Sequence, residues 1–180
     1  GLGFGLQEIF ANFVSGVILL IEQPVRVGDT VTVGDVDGVV TRINIRSTVI
    51  RDWNRKELIV PNREFITGQL INWTLSDTIL RVVVPVGIAY GSDIELAKRL
   101  LRQAAQESNR VLTAPPPEVW YLKFNDSCLD FELRVFIDKL ADLLPVRDEL
   151  HTKIDALFRE NGVEIAFPQM DVHLDPPAVP

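Results

Sequence analysis

The first 22 residues, GLGFGLQEIFANFVSGVILLIE, constrain the chain more than any other segment, because Glu8 is the only charge in the first 21. At about 1.5 Å per residue a helix of that length nearly crosses the hydrocarbon core of a bilayer. It has no basic leader, and Glu8 sits inside the run, so it does not read as a signal peptide. Nor is it an ordinary membrane span, since Gly1, Gly3, Gly5 and Gly16 crowd it and Gln7-Glu8 is polar. Projected at about 100° per residue, Asn12, Ser15 and Glu22 fall within about 40° of Glu8, with Gly16 at the border and Leu19 an apolar intruder. Ile9, Phe10, Phe13, Val14, Val17, Ile18 and Ile21 fill the remaining arc. The pattern predicts an amphipathic helix over about residues 6–22 with a narrow polar stripe, ended by Pro24, which disfavours helix in the residue before it. Two readings fit. One is a core helix of a soluble domain with Glu8 as a capping or paired carboxylate. The other is an interfacial or bent pore helix, in which the alternating small residues Gly1, Gly3 and Gly5 permit close helix–helix approach.

From Val25 the period switches to two. Val, Ile and Thr alternate with polar residues, and turn signals recur about every ten residues: Gly28-Asp29, Gly34-Asp35, Asp37-Gly38 and Asp52-Trp53-Asn54-Arg55. Residues 26–74 are therefore expected to form a meander that closes into a small SH3-like or Sm-like barrel. Asp35 and Asp37 lack the remaining ligands of a calcium loop and read as a tight turn. In residues 75–168 a strand over 78–90 is followed by a helix capped by Ser92-Asp93, with Ile94, Ala97, Leu100, Leu101 and Ala104 on one face. Strands over 118–125 and 128–138 come next, then a helix from about Pro145 to Asn161 capped by Gly162, and a last short strand over 163–167. That β-α-β-β-α-β order predicts a ferredoxin-like sandwich, so the fold class is α+β. Residues 169–180 open on the alternating QMDVHLD, a strand with no partner in the sandwich, which is expected to pair with other copies of the chain.

No constellation reaches catalysis. His151 is expected to pair with Asp155 at helical spacing, and His173 has no second metal-ligating residue near it. Cys128 reads as a small buried or half-buried residue, and Gly1-Leu2-Gly3-Phe4-Gly5 is not a dinucleotide fingerprint. No enzyme activity, cofactor or metal is expected. The chain carries a net charge of −7 and has a pI of about 4.8, a poor balance for nucleic acid. Residues 23–77 hold seven basic and seven acidic side chains, so the acidity lies in residues 78–180, with 11 basic and 16 acidic. The only methionine is Met170, so the sequence is expected to be a piece of a longer chain.

GLQEIFANFVSGVILLIEQPVRVGD, Ile59-Val60-Pro61-Asn62, Ile71-Asn72-Trp73 and Phe167-Pro168-Gln169-Met170-Asp171-Val172 occur in this order. Together they resemble the C-terminal half of a mechanosensitive channel of small conductance. QEIFANFVSG and the Asp52–Glu57 turn are most similar to the large, multi-helix members. The resemblance implies a tension-gated homo-heptamer in the bacterial inner membrane that passes ions and small solutes on hypo-osmotic shock. It makes residues 1–25 the end of a pore-lining helix with a bent segment, and places the chain from about residue 26 onward in the cytoplasm. Phe4 matches an apolar pore constriction, which a ring of copies could gate by dewetting. Gly1 and Gly3 match small residues on which pore helices pack. Gln7-Glu8 falls where the helix bends, and Gly16 matches a glycine of the bent segment. Asn12 matches the asparagine that couples that segment to the β domain near Pro61-Asn62. The orphan strand, with Met170, Val172 and Leu174 alternating, matches strands that close a small inter-subunit barrel. The resemblance further implies that the broad apolar face of the helix meets lipid and neighbouring helices. A ring of Glu8 and the acidic residues 78–180 lean towards cations. The competing reading is a soluble Sm-like and ferredoxin-like module that binds nucleic acid or acts as a scaffold.

Overall fold

The computed structural model describes residues 2–172, without the side chains of Leu2 and Phe4. The chain divides after Thr78 into two compact units. The first opens with α1 (Leu2–Glu22), which starts earlier than expected and runs without interruption through Gln7 and Glu8. Gln23 then turns into the left-handed region, with φ of 50°. Its N–H closes on the carbonyl of Leu19 at 3.1 Å, and Pro24 prevents further helix.

The period-two region becomes β1 (Thr30–Val33), β2 (Val36–Ile43), β3 (Ser47–Arg51) and β4 (Glu57–Pro61). A short helix, α2 (Asn62–Thr67), and β5 (Leu70–Asn72) follow. The ladders are antiparallel, in the order β4-β3-β2-β1-β5. Gly34-Asp35 is the two-residue turn of the β1–β2 hairpin, and the Thr32 hydroxyl donates to Asp37 at 2.6 Å across its base. The turn is where Asp35 was expected to put it, but Val36, Asp37 and Gly38, expected in the same turn, lie in β2 opposite Val33, Thr32 and Val31, so Asp37-Gly38 is not a turn of its own. The observed ladders form a five-stranded sheet, and among the described residues no β4–β5 ladder closes it. Asn72 ties the sheet's last strand back to its entrance: its amide donates to Asp29 Oδ2 at 2.7 Å and to the Pro24 carbonyl at 3.1 Å. The core beneath is small, made by Leu19, Val25, Val31, Val33, Val40, Ile50 and Phe65.

The second unit contains β6 (Leu80–Ile88), α3 (Ile94–Gln106), β7 (Glu118–Phe124), β8 (Leu129–Ile137) and α4 (Leu143–Glu160). The antiparallel order is β6-β8-β7, with β8 in the centre. Its alternating Leu129, Phe131, Leu133, Val135 and Ile137 are all buried against the apolar faces of α3 and α4. Asp93 caps α3 by accepting from the N–H groups of Glu95 and Leu96 at 2.9 and 3.0 Å. Gly162 follows α4 at φ +70°, a conformation open to glycine at little cost.

Two expectations need correction. The strand over 163–167 is reduced to one antiparallel bridge, Ile88 with Ile165, on the side of β6 away from β8. Two backbone bonds flank it, Ala89 N–H to Glu164 O and Ala166 N–H to Gly87 O. Asp155 pairs with Arg159 at 2.6 Å rather than with His151. Both neighbours sit four residues away, but the guanidinium is always charged, and an acid N-terminal to its base is the better order on a helix. The described part of the tail, Gln169–Val172, is in no strand, although the Gln169 N–H reaches Ser127 Oγ at 3.2 Å.

Candidate functional site

In an ordinary amphipathic helix of a soluble domain the apolar face turns inward. In α1 the sense is reversed. Ser15, Gly16 and Leu19 are buried and Asn12 is half-buried against the sheet and α2, so the polar stripe provides most of the docked face. The broad apolar face is open: Leu6 is 63% exposed, Phe10 68% and Ile21 76%, with Ile9, Phe13, Val17 and Leu20 also exposed. Leu6, Ile9, Phe10 and Phe13, with Gln7, line a shallow hollow of about 550 Å³ on this face. No helix among the described residues is long and apolar enough to cross a membrane.

The docked stripe works through three contacts, each about one helical turn from the next. At Gly16 the helix backbone lies against the β2–β3 turn so closely that a Cβ would sit 2.1 Å from the Ile45 carbonyl oxygen and 2.6 Å from Asn62 Nδ2. The Asn62 side chain, fully buried, pins that turn: its amide donates to the Asn44 and Ile45 carbonyls at 2.9 and 3.0 Å, and its Oδ1 accepts from the Thr48 hydroxyl at 2.9 Å. One turn earlier, Asn12 Oδ1 accepts the Arg63 backbone N–H at 3.0 Å, while its Nδ2 donates to the Glu8 carbonyl at 2.9 Å. One turn earlier again, the Glu8 carboxylate meets the Arg63 guanidinium at 2.5 Å.

The sequence reading sets Asn12 near Pro61-Asn62 and Glu8 and Gly16 at a helix bend; in the structure Gly16 lies against the Asn62 side chain, and Asn12 and Glu8 both meet Arg63, the next residue. The partner of Asn12 is Arg63, while the amide of Asn62 is committed to the β2–β3 turn and to Thr48. Arg63 is the residue sequence reasoning missed. The available signal was the single carboxylate in an otherwise uncharged run, which calls for a cation somewhere. Gly3 is exposed with open space around it. Gly1 and Leu174 lie outside the described residues, as does the side chain of Phe4; Gly5 lies in the first turn of α1. Met170 and Val172 are exposed, 85% and 69%.

Elsewhere the chemistry is quiet. Cys128 Sγ donates to Asp130 Oδ1 at 2.9 Å, and this bond, with burial, pushes the thiol above its ordinary value. An activated nucleophile needs the opposite shift. Among the described residues no group of three or more His, Cys, Asp or Glu side chains could hold a metal ion.

Comparison with known proteins identifies the arrangement. Residues 8–75 match the family described as the beta-domain of the mechanosensitive ion channel, and residues 82–165 match the C-terminal domain of the mechanosensitive ion channel MscS. The mechanosensitive channel MscK of Escherichia coli is 54% identical over 174 residues, 97% of this chain. An MscS family protein of Haemophilus influenzae is 52% identical over the same length. The chain spans 16% of the length of each of these relatives, which fits the C-terminal part of a large member. A crystal structure of Helicobacter pylori MscS in its closed state superposes with a TM-score of 0.90 at 26% identity, covering 97% of this chain and 69% of that one. These likenesses favour a channel part over the nucleic-acid or scaffold module. The chain belongs to the mechanosensitive channel of small conductance family, of which it carries the β domain and the C-terminal domain.

Proposed function

We propose that this chain is the gate-proximal and cytoplasmic part of a tension-gated channel subunit, which passes ions and small solutes when the membrane is stretched. One observation carries the proposal: α1 is anchored by its polar stripe and leaves its apolar face exposed. A helix so arranged is stable only where lipid or neighbouring apolar helices cover that face. The assembly that fits is a homo-heptamer in the bacterial inner membrane, with residues from about 26 onward in the cytoplasm.

In this reading Phe4 rings the closed pore and Gly1, Gly3 and Gly5 let pore helices pack. Gln7, Glu8 and Gly16 lie where the helix turns from the pore onto the β domain. The five-stranded sheet is the wall of an Sm-like barrel. The order of residues 164–166, β6, β8 and β7 supports a ferredoxin-like sandwich for the second unit. Met170, Val172 and Leu174 belong to a barrel formed between copies. Tension acts because the wider state occupies more membrane area and gains population as the bilayer is stretched. The test is electrical recording from membrane patches carrying the full-length protein. Stretch-activated openings are expected, and their absence from a folded, membrane-inserted sample overturns the proposal.

A further inference from the structure

We propose that Arg63 is the coupling residue of this chain: it clasps two successive turns of α1 and holds the helix in its docked, closed arrangement until tension pulls it away. The proposal deepens the channel reading above and rests on it. Three features of the geometry carry it.

The first is that one residue makes both contacts. The backbone N–H of Arg63 is bound by Asn12 and its guanidinium by Glu8, so the β domain grips α1 at positions four residues apart. The second is that the grip is preset. Asn12 donates its Nδ2 to the Glu8 carbonyl within α1, which leaves Oδ1 as the atom facing Arg63. The third is that α2 needs it. The residue before α2 is Pro61, and it provides no side-chain cap. The first N–H groups of a helix have no partner inside it, and here Asn12, from a different helix, supplies the acceptor. Lifting the first half of α1 off the sheet therefore removes a cap from α2 and separates the one charge in residues 1–21 from its counter-ion.

The chain superposes on a closed-state relative with a TM-score of 0.90 over 97% of its length, and on that likeness the docked arrangement is taken as the closed one. Both partners are substantially exposed, 63% for Glu8 and 46% for Arg63. The ion pair alone therefore shifts the docked-to-released ratio by about twofold per copy. In a ring of copies these factors multiply, to about a hundredfold for seven.

The test is the tension needed to open full-length channels in excised patches. Glu8→Arg and Arg63→Glu singly should lower the opening tension, and the double swap Glu8→Arg/Arg63→Glu should return it to the parent value. Arg63→Lys, which keeps both the charge and the N–H, should gate like the parent. Should a reversal prevent assembly, Arg63→Gln and Glu8→Gln remove the charge with little change in shape and should lower the opening tension equally. Unchanged tension in the single variants, or a double swap as displaced as both singles together, overturns the clasp. A parent protein that never opens under tension overturns the channel reading instead. A parent that opens normally beside unshifted variants leaves that reading standing and removes only the role of Arg63.

Discussion

Replacing Gly16 by alanine adds one carbon where there is no room. The new Cβ would lie 2.1 Å from the Ile45 carbonyl oxygen and 2.6 Å from Asn62 Nδ2, whereas carbon and oxygen make comfortable contact at about 3.3 Å. Either α1 or the β2–β3 turn must retreat by about 1 Å, an overpacking cost of about 1–3 kcal/mol. If the turn moves, the Asn62 amide loses its bonds to Asn44 and Ile45 at full burial, and an unmade bond there costs about 1–3 kcal/mol. Alanine returns about 1 kcal/mol of helix propensity. The net expectation is that docking of α1 weakens by about 2–3 kcal/mol. Amide hydrogen exchange on the full-length protein measures this directly. The amides of α1 near residue 16 and the turn at residues 44–46 should lose about 30- to 160-fold in protection. Amides in β8, which belong to the other unit, should not change. Protection in α1 equal to or greater than the parent's would mean that helix propensity outweighs the contact, and the tight approach at Gly16 would not govern docking.

Two further outcomes concern the second unit. Burial pushes the Glu149 carboxyl up, but Lys153 at 3.1 Å and Arg110 at 3.1 Å outweigh it and hold the group below the ordinary carboxylate range. Its contribution is therefore present above the unfolded-state value, about 4.3, and is lost as pH falls through the lower folded-state value. In thermal melts Glu149→Gln should cost about 1 kcal/mol at pH 7 and progressively less below about pH 4; a gap that widens in acid would refute the sign. Asp93→Ala removes the acceptor of two N–H groups at the start of α3, and denaturant titration should show a loss of about 1 kcal/mol, recovered in part by Asp93→Ser.

What could be read in advance follows how local each signal is. Asp93 and Gly162 act within a few residues of themselves, so the helix boundaries they set were legible. The hairpin at Gly34-Asp35 was legible for the same reason. The helix α2 was not, because the six residues NREFIT are too few to display a 3.6-residue period and Ile66-Thr67 reads as strand. The strand over 163–167 has the right composition but makes only one bridge, and ladder length depends on a partner the pattern cannot show. Which cation answers Glu8 could not be read from the sequence for a related reason. The partners of Arg63 lie 51 and 55 residues away, and long-range polar pairing leaves no periodicity to find.

On the proposed channel reading α1 must be both attached and movable, and the make-up of the first unit suits both. Of the seven residues that form its buried core, α1 contributes only Leu19. Beside it Ser15 is buried and Ala11 and Ile18 are half-buried, and the polar contacts on the docked face include a backbone packed on a turn, an amide bound to a peptide N–H and an exposed ion pair. Hydrophobic attachment grows with apolar area, at about 25 cal/mol per Å², so a helix docked through the residues it now exposes would be held by many kcal/mol and would stay in place. Polar contacts of the kind used here are worth about 0.5–1.5 kcal/mol each, and their loss can be offset by water as the helix departs. A channel helix that must hold its place at rest and yield to membrane tension needs an attachment of that second kind. On the proposed channel reading, the reversal of α1, with its polar stripe inward and its apolar face outward, would meet both requirements at once: it would keep the apolar surface for membrane and neighbours and leave separable polar contacts to set the resting position.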